Sequence, residues 1–467
     1  MDVIKRSGLL IPKTYYNTEQ YVRIKEHLQR RSKQYNTSDY ITNIFYVESE
    51  KFLLIPRNFP LHEFVINPII HDHRHEGDSI NIKHHIVPRS ESQKRAIDYL
   101  MDNEDGVLQL APGVGKTVIA IYMIAERQRR SLVLVHRDSL ADQWRDRFLQ
   151  FTDLQNNNIS RLTSKTFEED LNKPIITATV QTFLSLLKRH RREFLIALNE
   201  ANIGIFIGDE VHTTVGAPTF SECSIHMPSK YTYGLSATPY RYDGNGDIIE
   251  YHLGSIFKDD DTEGTMDAKI TVILLDYQID TAGRARYIRW GGDFQRSRYL
   301  NQVTKSKPFL EVIKGLLARL KHDRNIICMT ERIKLIDLLY DWMPHESKSK
   351  FCGSAKADTL ESKITFTTPG KCRDGIDAPW KDCVIMTSPI SNVEQLTGRV
   401  TRSDEGKQLP SIIDMVDYGC SDISDTFFRR RQFYNDKGWD IQYSIYLNNN
   451  LSMIDEETAI TIIKGDK

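Results

Sequence analysis

Short, almost uninterrupted apolar runs recur through the first half of the chain, each parted from the next by a stretch with helical spacing. They are Val107–Leu110, Ser131–His136, Pro174–Val180, Ile203–Gly208 and Tyr231–Leu235. Runs without alternation suit strands buried on both faces, so they predict a mostly parallel sheet covered by helices. A second alternation begins near Lys307, with strands predicted near Asn325–Met329, Ile364–Thr367, Val384–Thr387 and Ser411–Val416. Between the two, Gly244, Gly246, Gly254 and the acidic run Asp259-Asp260-Asp261 mark a linker region, and Ile270–Leu275 reads as a strand of a connector. The predicted organisation is an accessory domain over 1–85, a first α/β lobe over 86–265, a connector over 266–306, a second lobe over 307–440 and a C-terminal extension over 441–467.

The first candidate chemistry lies where the run Val107–Leu110 meets a helical pattern, Val118 to Arg130. The junction reads Leu110-Ala111-Pro112-Gly113-Val114-Gly115-Lys116-Thr117. Strand, glycine turn and helix form the setting in which backbone N–H groups and a helix N-terminus cradle phosphate. Gly113 and Gly115 permit close approach, Lys116 reaches the outer phosphates, and the Thr117 hydroxyl suits magnesium. Leu110 stands where the first glycine of the pattern usually is. A tight turn that binds nothing is the plainer alternative.

Chemistry in such sheets belongs at the carboxyl ends of the strands. Ile205–Gly208 runs directly into Asp209-Glu210. One carboxylate there can complete a magnesium site while the next orients water, as phosphoryl transfer requires; a solvated acidic turn is the alternative. In the second lobe, Gln395-Leu396-Thr397-Gly398-Arg399-Val400-Thr401-Arg402 follows a predicted strand. Arg399 and Arg402, three apart, fall on one face of a helix and can serve either as arginine fingers or as ion-pairing surface residues. Gln93, ahead of the phosphate loop, suits either an adenine edge or an exposed helix face.

The chain of 467 residues has a net charge of −1, so any phosphate binding rests on local patches. Residues 1–60 hold ten Lys/Arg and six Asp/Glu, a surplus of four, leaving the remainder at −5. Within them Tyr16, Tyr21, Tyr35 and Tyr40 alternate with Arg23, Lys25, Arg30, Arg31 and Lys33, which suits nucleic acid and equally suits an amphipathic helix. His71, His73 and His75 alternate at spacing two; zinc is conceivable, but the flanking residues read as a surface loop. The six cysteines are widely spaced and read as buried free thiols of a reducing cytoplasm. No apolar stretch is long enough for a membrane span, and the start lacks the apolar core of a secretory signal.

Taken in order, these strings resemble the motifs of superfamily 2 helicases and translocases over residues 86–440. Leu110–Thr117 resembles motif I, Val135–Trp144 motif Ia, Asp209–His212 a DEVH-type motif II and Ser236–Thr238 motif III. Thr367 to Asp377 is similar to motif V, Gln395–Arg402 to motif VI, and Gln93 to the adenine-reading glutamine. Phage UvsW-type branch-migration helicases and their XPB-like relatives are the nearest in style. The segment from Gly353 to Thr367 is shorter than relatives carry, so a usual helix of the second lobe is expected to be missing.

The resemblance implies two tandem RecA-like parallel-sheet lobes behind a small N-terminal domain, with ATP and magnesium as cofactors held in the cleft between lobes. It implies catalytic roles for Lys116, Asp209, Glu210, Gln395, Arg399 and Arg402. Nucleotide contacts would come from Gln93, Pro112, Gly113, Val114, Gly115, Lys116, Thr117, Gly375 and Asp377, and metal contacts from Thr117 and Asp209. Arg137, Thr179, Gln181, Thr182 and Thr368 would touch the nucleic-acid backbone. The expected activity is ATP-driven unwinding or translocation on branched DNA by a cytoplasmic monomer, in the host cytoplasm if the chain is phage-encoded. An RNA helicase with the same motor and a nucleotide-gated clamp without turnover are the rival readings. Residues 1–85 are expected to recognise duplex DNA and to be removable without unfolding the ATPase; packing against the first lobe is the alternative.

Overall fold

The computed structural model describes residues 1–33, 40–110, 114–211, 221–237, 246–259, 266–279, 288–290, 293–344, 347–353, 355, 360–375, 378–390 and 393–465. The chain divides into two compact units, Met1–Asp261 and Thr262–Lys467.

The first unit opens with a small α+β module. Strands β1 (Asp2–Lys5) and β2 (Leu9–Pro12) precede helix α1 (Glu19–His27), the antiparallel pair β3 (Gln29–Lys33) and β4 (Tyr40–Ile44), then β5 (Val47–Glu48), β6 (Phe52–Ile55) and β7 (Ile69–Asp72). One sheet has the order β5-β6-β2-β1-β7. Thr18 caps α1 by accepting from the Tyr21 N–H, and the helix buries Tyr21 and Ile24 on Val3, Leu53 and Ile55. Part of the aromatic and cationic run read as a nucleic-acid face is therefore occupied by the fold itself, while Tyr16, Arg23 and Arg31 stay exposed. Tyr21 lies in the core, Lys25 pairs with Glu48, and Arg30 pairs with Asp247. Tyr35 lies outside the described residues.

The lobe that follows is built from β8 (Asp105–Gln109), β9 (Ser131–Val135), β10 (Ile159–Arg161), β11 (Ile175–Thr179), β12 (Ile205–Asp209), β13 (Tyr231–Ser236) and β14 (Ile256–Lys258). All pairings are parallel, in the order β10-β11-β9-β12-β13-β8-β14. Helices α2 (Glu91–Asp102), α3 (Lys116–Arg127) and α4 (Asp138–Phe151) contribute to one core; α5 (Phe167–Asp170), α6 (Val180–Arg189) and α7 (Arg191–Glu200) contribute to the other. Side chains of β9 show why its run is continuous: Val133 and Val135 enter the first core, Leu132 and Leu134 the second.

The module and the lobe are joined through one buried cation. Arg57 has a side chain only 2% exposed and donates to the carbonyls of Met227 and Ser229 (the latter at 2.7 Å), to the Thr232 hydroxyl, and to Asp105 at 3.4 Å. Burial pushes its guanidinium below the ordinary arginine range, opposed by Asp105. Arg74 bridges Asp72 and Glu104, and Ile248 of the lobe completes the module's core. Packing against the lobe, rather than independence from it, describes residues 1–85.

The imidazoles of His71, His73 and His75 do not line one strand, because β7 ends at Asp72. His71 faces Asp2, and His75 bridges to Ser229. Among the described residues no group of three or more His, Cys, Asp or Glu side chains is arranged to hold a metal.

The second unit holds β15 (Lys269–Leu275), the short pair β16 (Arg289–Trp290) and β17 (Asp293–Phe294), then β18 (Ile326–Met329), β19 (Lys348–Phe351), β20 (Ile364–Thr367), β21 (Cys383–Met386), β22 (Ser411–Asp417), β23 (Asp440–Leu447) and β24 (Asn450–Ile454). Its main sheet has the order β19-β20-β18-β21-β22-β15-β23-β24, parallel except at β24. Two segments placed outside this lobe by sequence pattern lie inside its sheet. β15, expected in a connector, sits between β22 and β23 with Ile270, Val272 and Leu274 in one core and Ile273 and Leu275 in the other. β23, expected in a C-terminal extension, pairs along most of β15. Between β19 and β20 no α-helix occurs among the described residues, and 354 and 356–359 of the Gly353–Thr367 segment lie outside them. Five cysteines are buried, whereas Cys352 is half-buried. No helix among the described residues is long and apolar enough to cross a membrane.

Arg57→Met removes the guanidinium while keeping the apolar stem. Breaking a buried pair of this kind costs about 3–5 kcal/mol, and the low end is expected because Lys5 and Arg74 also face Asp105. Urea unfolding of the first unit is the measurement, and removal of residues 1–85 should lower its midpoint further still.

Candidate active site

Parallel register sets the site. Thr179 pairs with Val135, Asp209 with Leu235, and Ser236 with Gln109, so these strand ends form one row along the carboxyl edge of the first lobe. The phosphate loop, motif II, motif III and the proposed strand-contact residues Arg137 and Gln181 all leave from that row.

Gly115 has φ +94, and a Cβ there would come within 2.9 Å of the Gln93 amide nitrogen. The left-handed φ is what calls for glycine here, and a Cβ would also displace the Gln93 amide. Lys116 and Thr117 open α3, a twelve-residue helix whose N-terminus presents unsatisfied N–H groups. The Lys116 ammonium donates to the Leu110 carbonyl at 2.9 Å, spanning the loop. Pro112 and Gly113 lie outside the described residues. Gln93, expected to read adenine, braces the loop: its amide donates to the Val114 carbonyl at 2.6 Å and accepts from the Arg89 N–H at 2.7 Å.

Asp209 ends β12 and is 7% exposed. Its Oδ2 accepts from the indole N–H of Trp144 at 2.7 Å, a contact between two buried side chains. Burial, reinforced by the Glu210 carboxylate, pushes Asp209 up to about 7, while the Trp144 hydrogen bond and the Lys116 charge act downward. Glu210 follows in the left-handed region at φ 51, a conformation costly for a residue with a Cβ and characteristic of functional strain. The Val211 N–H donates to Leu235, and the Ser236 carbonyl accepts from the Leu110 N–H, tying motifs I, II and III into one frame. His212 and Thr238 lie outside the described residues.

A nucleoside triphosphate with magnesium fits this donor set. Hard oxygen ligands are available at the Thr117 hydroxyl and Asp209 carboxylate, and the latter is a buried acid that ionises fully at neutral pH only beside added positive charge. Trp144 was within motif Ia by sequence, but its role was not legible there. The one available signal was a tryptophan at an inward position of an amphipathic helix, whose N–H requires a partner when buried.

Residues 86–241 match the family model of the Type III restriction enzyme res subunit. A putative ATP-dependent RNA helicase of Acanthamoeba polyphaga mimivirus is 25% identical over 96% of this chain and 88% of its own. A putative DNA 3'-5' helicase Rad25 of Halobacterium salinarum is 30% identical over 44% of this chain and 31% of its own.

The chain is similar to superfamily 2 helicases, with the matched domain over residues 86–241. In fold the chain is similar to S. cerevisiae Dbp5 bound to RNA and ADP BeF3, with a TM-score of 0.50 at 16% identity, over 80% of this chain and 93% of that chain.

The remaining motif residues divide between surface and scaffold. Arg137 is exposed just ahead of α4, and Gln181 is exposed in the first turn of α6. Thr179 is buried and serves as the N-cap of α6, accepting from the Thr182 N–H at 3.1 Å and sharing a hydroxyl contact with Thr182 at 2.9 Å. Thr368 does similar work ahead of helix Pro369–Gly375. Asp377 lies outside the described residues.

Gln395 and Arg399 lie on helix Glu394–Val400, but Arg402 lies two residues beyond its end, so the expected single helix face does not hold both arginines. Arg402 is fixed instead through its backbone. The Lys407 ammonium donates to the carbonyls of Val400 at 2.7 Å and Arg402 at 2.8 Å and to that of Pro379, which joins the motif VI stretch to the segment just after motif V. Burial lowers Lys407 to about 8. No spacing pattern pointed to this lysine.

Protons and magnesium compete for Asp209. Because its folded pKa exceeds its unfolded value, this group favours folding most at acidic pH, and the benefit declines as pH rises toward about 7. A bound cation reverses that preference. Magnesium-dependent binding of a non-hydrolysable ATP analogue should weaken by about tenfold per pH unit below about 7. Trp144→Phe deletes the hydrogen bond that favours the carboxylate, so the midpoint moves to higher pH; calorimetric titration across pH 5.5–8.5 reads both.

Proposed function

We propose that this chain is an ATP-dependent DNA helicase or translocase that acts on branched DNA. The observation that carries the motor reading is the buried Asp209 and left-handed Glu210 at the end of the strand flanked by β9 and β13, electrostatically coupled to Lys116. Lys116 and the N–H groups opening α3 hold the triphosphate, and Thr117 and Asp209 hold magnesium. When bound, the metal neutralises phosphate charge. Glu210 orients the attacking water and accepts its proton. Gln93, Gly375 and Asp377 complete the nucleotide site, and Gln395, Arg399 and Arg402 act on the developing charge, which links turnover to a conformational cycle. Arg137, Gln181, Thr182 and Thr368 follow phosphates rather than bases, so movement is independent of sequence.

The preference for DNA is supported by the Rad25-type relatives and by the motif style; branched DNA is supported by the resemblance to UvsW-type helicases. One observation favours a second reading. The mimivirus relative, which aligns along nearly the whole chain, is described as an RNA helicase. Stimulation of ATP hydrolysis by single-stranded, duplex, forked and four-way DNA beside RNA separates the two: the proposal expects the largest rise with forked or four-way DNA, and strict dependence on RNA would reject it.

Variants at the site separate turnover from clamping. Glu210→Gln should abolish hydrolysis while ATP and DNA binding persist, because phosphate and metal contacts survive. Arg399→Ala and Arg402→Ala should leave ATP affinity near wild type and lower hydrolysis by about 10³-fold. Full turnover of Glu210→Gln would remove that residue from its role.

A further inference from the structure

Five consecutive basic residues, Lys188-Arg189-His190-Arg191-Arg192, lie at the break between α6 and α7, and all five are exposed. Both helices bury their apolar faces, with Phe183, Leu186 and Leu187 of α6 and Phe194 and Leu198 of α7 in the second core of the lobe. The charges are therefore pressed together on the outward corner.

Several other cations of this unit are matched by acids: Arg30, Arg57, Arg74, Arg130, Arg145 and Lys230 each pair with a carboxylate. Among the described residues Lys188, Arg189, Arg191 and Arg192 have no carboxylate within ion-pair distance, although Glu193 is adjacent in sequence. Arg191 reaches only the His226 ring, at 3.5 Å.

Helix electrostatics explain half of the run. Lys188 and Arg189 occupy the last turn of α6, where cations complement the negative helix end. Arg191 and Arg192 occupy the first turn of α7, where the positive end disfavours them. Four like charges on one corner, two of them against the local dipole, lower the stability of the isolated fold and raise affinity for an external polyanion.

A protein partner fits the corner poorly, since interfaces centre on desolvated apolar or aromatic anchors and Ile196 is the one exposed large apolar residue of α7. A nucleic-acid backbone fits it well. Gln181 and Thr182 stand at the opposite end of α6, and a ten-residue helix spans about 15 Å. That length covers about four base-pair steps of duplex.

We propose that Lys188, Arg189, Arg191 and Arg192 form an anchor for the phosphate backbone of duplex DNA, outside the motif residues. This inference rests on the nucleic-acid-dependent reading above and adds a second surface to it.

The test compares the full-length chain with the combined variant Lys188→Gln, Arg189→Gln, Arg191→Gln, Arg192→Gln. Binding of a fluorescent 30-base-pair duplex is followed by anisotropy from 50 to 300 mM salt. The slope of log affinity against log salt should become shallower by about 3 to 4, and affinity at the lowest salt should fall at least tenfold. Melting temperature should equal or exceed that of wild type, since like-charge repulsion is relieved, and ATP affinity should match it, because all four side chains are solvent-facing. A charge-preserving variant, Arg189→Lys, Arg191→Lys, Arg192→Lys, should retain the wild-type slope. Wild-type and glutamine variants with equal slopes and affinities would overturn this inference alone, while a wild-type chain that binds no nucleic acid would overturn it together with the proposed function.

Discussion

A carboxylate buried without a permanent cation is the constraint around which the first lobe is arranged. Asp209 ends a strand whose residues are all buried, and desolvation pushes it far above an ordinary carboxylate. The surrounding fold limits that cost with one indole hydrogen bond and one nearby ammonium. Neither suffices to keep the group fully ionised near neutrality. The site is thus poised for added positive charge, and the register of a parallel sheet brings the phosphate loop, motif II and motif III to the same edge.

That edge is held by contacts that are not themselves chemical. Gln93 ties the loop to α2, Ser236 receives the Leu110 N–H, and Trp144 links α4 to β12. In the second unit Lys407 performs a comparable task for Arg402, gathering its carbonyl and that of Pro379 onto one ammonium. A backbone clamp of this kind holds a terminal position that no helix geometry fixes.

The N-terminal module shows the same economy of charge. Arg57 replaces water with carbonyls, a hydroxyl and Asp105, so the module and the lobe fold as one structure. Two of the cations that looked like a nucleic-acid face, Lys25 and Arg30, are consumed in such pairs, and a denser group of exposed cations lies on the lobe, at the corner between α6 and α7.

The local pattern determined the strands β8, β9, β11, β12 and β13, the helix after the phosphate loop, and the order of the motifs. Continuous apolar runs and glycine-rich turns carry their structural consequence within a few residues, so they are legible without neighbours. Tertiary structure decided what depends on partners far away in sequence. β15 and β23 became interior strands of the second sheet because each found the other, across roughly 170 residues. The glutamine expected to read adenine was found bracing a loop, the threonine expected to touch a nucleic-acid strand was found capping a helix, and a tryptophan acquired Asp209 as its partner. Burial, pairing and desolvation are properties of position in space, and only the folded chain assigns them.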